Sequence, residues 1–146
     1  MKAITIKQPF ASLIAAGLKE YEFRTWKTGY RGEILIHAGK SIDKEAMQKF
    51  GHLKLEYPTG CMIAKATLTD CVQITDSVRQ ELRNKNYLVY SGTTENPGWN
   101  GYGFKLENVE TMEPIFANGM LGLWEYDFEN ELGDSNESDK TVLRNE

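Results

Sequence analysis

The spacing of apolar and polar residues changes period several times along this chain, and each change marks an element. Ala3, Ile4 and Ile6, set among Lys2, Thr5 and Lys7, predict a first strand over 2–7. Pro9 suits the first turn of a helix over 9–16, where its missing N–H costs nothing. Phe10, Leu13 and Ile14 recur at helical spacing, and Gly17 can take the left-handed conformation that ends a helix. Beyond it, Tyr21, Phe23 and Thr25 alternate with Glu22, Arg24 and Trp26, which predicts a strand over 20–26 with the second set on one face.

The remaining pattern is mixed. A turn at Gly29–Gly32 precedes a strand over 33–38, and Ser41 or Asp43 can cap a helix running to about Phe50. Pro58-Thr59-Gly60 leads into a strand from Cys61 to about Asp70, and a polar helix over 76–85 opens at Asp76-Ser77. Tyr87–Tyr90 reads as a short strand, and 91–101, dense in Gly, Pro and Asn, as a loop. Strands over 102–107 and 120–126 follow, with Pro114 interrupting between them. Several strands with interspersed helices, lacking regular βαβ alternation, predict an α+β, barrel-like fold and not a doubly wound sheet.

Composition narrows the class. The 146 residues support one domain with one core. No run of eighteen apolar residues exists and the start shows no leader pattern, so neither a membrane span nor a signal peptide is expected. Cys61 and Cys71 sit among apolar neighbours, as buried thiols of a reducing, cytoplasmic compartment would. With only those cysteines, His37 and His52, no metal-ligand spacing assembles, and neither a metal nor a cofactor is expected.

The formal net charge of −4 is unevenly spread. Residues 127–146 carry seven acids against two bases, whereas residues 1–40 carry seven bases against three acids. The acidic, Asn- and Ser-rich segment 128–146 is expected to be a disordered tail beyond a domain over 1–127. The basic excess thus lies in residues 1–40, around the stretch where chemistry is also concentrated. Lys19, just past a helix end, becomes a usable base if burial lowers its pKa. Glu22 can position it, activate water, or accept from a nucleobase amine, and Arg24 presents a planar fork to phosphate or carbonyl. Trp26, Trp99 and Tyr102 are each available to stack on a base or to fill the core. Trp124, between Leu123 and Tyr126, reads as core, and His37 ends an apolar strand where it can serve as a core hydrogen-bonder or a ligand contact.

The spacing Gly17-x-Lys19-x-x-Glu22-x-Arg24, preceded by Gln8-Pro9-Phe10-Ala11-Ser12, resembles the signature of the ASCH (activating signal cointegrator homology) domain. The resemblance continues through Arg31-Gly32 and Ile34–Ala38, through Tyr57–Cys61, and through Met120–Trp124, covering roughly residues 1–127. It implies a PUA-like small β-barrel with flanking helices around a cleft, and RNA or a nucleotide-like small molecule as the ligand. On that footing Lys7, Gln8, Ser12 and Arg31 join Arg24, Trp26, His37, Trp99 and Tyr102 as candidate ligand contacts, with Lys19 and Glu22 as candidate catalytic residues. One class in the superfamily looks like an amidohydrolase on N4-acetylcytidine, using a Lys, a Thr three residues on and a distant Glu. Here Lys19 matches, Glu22 stands at the Thr position, and Glu107 is the candidate for the third. A protein-interaction module with the acidic tail as its contact is a further alternative; the sequence names no protein partner.

Overall fold

A computed structural model describes residues 1–94 and 99–127. The tail over 128–146 and part of the expected loop, 95–98, lie outside the described residues. The elements run β1 (Lys2–Gln8), α1 (Phe10–Ala15), β2 (Tyr21–Arg24), β3 (Gly32–Ile42), α2 (Lys44–Phe50), β4 (Cys61–Gln73), α3 (Asp76–Lys85), α4 (Tyr87–Thr94), β5 (Tyr102–Phe116) and β6 (Leu123–Glu125).

The six strands of the described residues form one sheet in the order β2-β5-β4-β3-β1-β6. Among the described residues only β1 and β3 pair in parallel. Among the described residues the strand ladder does not close, so the fold is α+β and the expected PUA-like barrel is open. Between the two ends, Arg24 Nη2 of β2 donates to the Thr5 carbonyl of β1 at 2.7 Å. The β1–β6 ladder stops at Ile4–Leu123, and Thr5 lies just past its end. One guanidinium thus spans the gap that another strand pair would have filled.

Three apolar clusters hold the sheet. Ile4, Ile6, Ile34, Ile36, Ala64, Leu68 and Phe104 pack with α1 on the inner face. Ala3, Leu35, Met62, Trp124 and Tyr126 cover the outer face, so Trp124 is core as its neighbours implied. Leu13, Phe50, Leu82, Val89 and Tyr90 join the helices beneath Tyr21 and Phe23.

Two expectations need correction. Tyr87–Tyr90 is helical and opens α4. Its Val89 and Tyr90 bury against α1 and α3, and Tyr90 stacks edge-on with Phe23 at 6.0 Å. Four consecutive apolar residues carry no period of their own, so the helix layer decides. Pro114 does not end a strand either, because β5 continues to Phe116. The β4–β5 register slips between Met62 and Ala64, and the exposed Pro114 falls in that irregularity, where no ladder N–H is required of it.

Candidate functional site: the Lys19–Glu22–Arg24 cluster

The cluster is built by the way α1 ends. Gly17 takes φ +79°, its N–H bonds to Ile14 O, and the N–H of Leu18 bonds to Leu13 O. This Schellman geometry reverses the chain. A further bond, Lys19 N to Leu13 O at 3.2 Å, folds Lys19 back toward the domain instead of outward. Its side chain is only 3 % exposed.

Burial of that ammonium requires partners. Lys19 Nζ donates to the Tyr21 carbonyl, lies 3.6 Å from Glu22 Oε1, and sits 4.6 Å from the centre of the Phe23 ring. Glu22 Oε2 accepts from Arg24 Nε at 2.9 Å and lies 2.8 Å from Nη2 as an ion pair. Glu22 therefore stands between two cations, and the Arg24 side chain, 21 % exposed, is the most open of the three. Burial pulls the Lys19 pKa below its ordinary value; Glu22 opposes this by attraction and hydrogen bonding, and Arg24 adds to it by repulsion. Nearby, the Tyr90 hydroxyl accepts from Glu20 N–H at 2.8 Å, and burial pushes that phenol up to about 12.

The other candidates are distributed elsewhere. Strand β2 ends at Arg24, and Trp26 lies beyond it, half-buried and edge-on to Phe104 at 5.1 Å. Phe104 is the register partner of Glu22 and Tyr102 that of Arg24, so both aromatics belong to the same stretch of sheet as the cluster. Trp99 packs on Phe23 at 6.1 Å. Gln8 is fully buried: its Nε2 donates to Ser12 Oγ and Pro58 O, and its Oε1 accepts from Ser12 N–H. Ser12 Oγ in turn donates to Glu56 O at 2.8 Å, so Gln8 and Ser12 tie α1 to the 56–58 segment. Arg31 donates to Thr28 O and Tyr30 O within its own turn and lies 3.8 Å from Asp70. Glu107 pairs with Lys105 at 3.0 Å. His37 is buried on the outer face, where its Nε2 lies 2.7 Å from Ala117 O. Lys7, with Lys27 and Lys40, is exposed and makes no ion pair among the described residues.

Sequence reasoning missed the two carbonyls that orient the cations, those of Tyr21 and Thr5. Backbone acceptors leave no mark in side-chain identity, so only the geometry reveals them.

Comparison with known proteins agrees with this architecture. The ASCH domain family model matches residues 4–116. Over 139 residues, 85 % of this chain, it is 30 % identical to human activating signal cointegrator 1, of which the match spans 22 %. The mouse protein of the same name is 31 % identical over 81 residues, 47 % of this chain and 14 % of the mouse protein. The chain thus spans about a fifth of the length of the human relative. Among solved structures it is similar to the ASCH protein of Zymomonas mobilis, at TM-score 0.62 and 16 % identity, covering 90 % of each chain. A mutant form of that protein aligns at TM-score 0.58 and 18 % identity, covering 92 % of this chain and 96 % of the other. No helix among the described residues is long and apolar enough to cross a membrane. On the family match and the shared fold together, this chain belongs to the ASCH domain family.

Proposed function

We propose that this domain binds RNA, or a nucleotide-like small molecule, in a cleft at the Lys19–Glu22–Arg24 cluster. The observation that carries the reading is the pairing of Glu22 with Arg24 beside a buried cation. A carboxylate acceptor next to a forked donor matches a base amine next to a phosphate or carbonyl. Tyr102, opposite Arg24, and Trp26 supply flat apolar surface for a base, and exposed Lys7 and Lys27 supply positive potential for a backbone. The test is a filter-binding titration with short RNA at two salt concentrations. Affinity that falls with salt and weakens in Arg24→Ala supports the reading, and no binding at low salt refutes it.

A second reading is favoured by one observation, the burial of Lys19 that lowers its pKa beside Glu22. A hydrolase acting on an acylated nucleoside would use that pair to take a proton from water. The hydroxide would attack the acyl carbon, and the departing amine would take the proton back. With Glu22 where the amidohydrolases carry Thr, water is the only nucleophile this cluster offers. Chromatographic release of cytidine from N4-acetylcytidine, abolished by Lys19→Ala and by Glu22→Ala, establishes the enzyme. RNA binding with no release leaves the binding reading.

A further inference from the structure

The outer face of the sheet carries a concavity whose lining does not include the Lys19 cluster. Along β1 and β3, Ile4, Ile6, Ile34 and Ile36 point into the inner core. Thr5 and His37, which are register partners, therefore point outward. Together with residues 117–121 they line a pocket of about 420 Å³, whose walls include Gly39, Lys40, Asn118 and Gly119. That volume is in the range of small-ligand sites.

Its floor holds an unanswered polar atom. His37 is 1 % exposed, and its Nε2 faces the Ala117 carbonyl, which can only accept, so Nε2 carries the proton. Nδ1 is consequently a buried lone pair, and it has no hydrogen-bond partner among the described residues. Buried polar atoms in native folds are nearly always answered, by protein, water or ligand. Burial holds the imidazole below the ordinary histidine value, which keeps that lone pair available at neutral pH. At the rim, exposed Lys40 makes no ion pair among the described residues, and its stem runs beside Gly60. Gly119 packs closely over Thr5 and the His37 ring at that floor. A Cβ there would come within 2.6 Å of Thr5 Oγ1 and 3.0 Å of His37 Nδ1. Apolar Met120 and Leu121, both exposed, form the remaining side.

We propose that this pocket is a ligand site of its own, for a small anionic molecule that gives an N–H donor to His37 Nδ1 and its anionic group to Lys40. A nucleoside monophosphate with an exocyclic amine has that chemistry. It shares no side chain with the Lys19–Glu22–Arg24 cluster, so either reading can fail alone.

Three probes test it: AMP, IMP and adenosine, titrated calorimetrically and followed by long-range proton–nitrogen spectra of the His37 ring. AMP is expected to shift the Nδ1 resonance. IMP turns a carbonyl toward the acceptor and should bind at least about tenfold more weakly, as sites built on a buried polar partner discriminate. Adenosine, lacking the phosphate, and AMP with Lys40→Ala should each lose about tenfold, the scale of one charge-assisted contact. Gly119→Ala should abolish the shift, and the exposed Lys40→Ala variant gives a loss that does not depend on repacking the floor. The proposal is overturned if the Nδ1 resonance does not move at millimolar AMP, if IMP binds as well as AMP, or if the perturbed resonances map to residues 19–24.

Discussion

Glu22→Gln isolates the electrostatics of the cluster, because it removes a charge and almost no volume. Two cations depend on that carboxylate, and they respond differently. Arg24 keeps the Thr5 carbonyl, can still donate to the Gln oxygen, and at 21 % exposure can turn toward water. Lys19, 3 % exposed, has no such route and keeps the Tyr21 carbonyl and the rings of Phe23 and Phe10, none of which carries a countercharge. Breaking a buried pair costs about 3–5 kcal/mol when the stranded ion cannot reach solvent. With only Lys19 stranded, the lower end applies, so we expect a loss of about 3 kcal/mol in urea unfolding at pH 7. For a domain of this size that corresponds to a fall in Tm of roughly 10 °C. Adding Lys19→Met to Glu22→Gln should restore about 2 kcal/mol, since an apolar chain of similar length then fills the site without a charge. A double variant no more stable than Glu22→Gln alone would refute the reasoning.

Arg24→Ala should weaken RNA binding by roughly 1–3 kcal/mol and make its salt dependence shallower by about one phosphate contact, read from filter binding over a salt series. Gln8→Ala should cost about 2–3 kcal/mol of stability by urea unfolding, because it unpairs the buried Ser12 amide and the Pro58 carbonyl. His37 has a lowered folded-state pKa, so its stabilising neutral form is fully present above the ordinary value of 6.5, and stability should be lost as pH falls from there through the folded value. Comparing unfolding of wild type and His37→Gln between pH 7.5 and pH 5 checks this, with a shallower acid-side loss expected in the variant. Lys19 follows the same rule at higher pH: stability should rise between its lowered folded value and 10.5 relative to Lys19→Met, measured by unfolding at alkaline pH.

Much of the candidate cluster's geometry was legible in one stretch of sequence because its causes are local. Gly17 can end a helix only by turning left-handed, and the alternation after it puts Glu22 and Arg24 on one face; both are visible as residue types at a spacing. The Asp43 cap was legible for the same reason, and its side chain accepts from Ala46 N–H at 3.0 Å. What escaped depends on distant partners. Residues 87–90 become helical because α1 and α3 bury Val89 and Tyr90, and β5 passes Pro114 because the register against β4 yields there. The strand over 20–26 is shorter in the fold because pairing with β5 ends at Arg24–Tyr102. The open edge of the barrel was equally invisible, since closure depends on how far the whole sheet coils. Gln8 and Ser12 are recognisable as a motif, but their saturation by Pro58 and Glu56 involves backbone atoms more than forty residues away.

The strand order has a consequence for self-association. An open sheet presents two rows of unpaired backbone groups, and such edges recruit other chains when they are long and flat. Here the outermost strands are the shortest, four residues in β2 and three in β6. The strands of eleven, thirteen and fifteen residues are all interior. The β6 side is further marked by charge, with Glu125 held by both Lys2 and the N-terminal amine. A fold that never seals its barrel thus ends in short strands, and it is their docking that covers the Tyr102–Lys105 stretch of β5 and the Lys2–Ile4 stretch of β1. Until then β5 and β1 are the exposed borders, so substitutions that loosen either short strand should first appear as aggregation and not as a lower melting point.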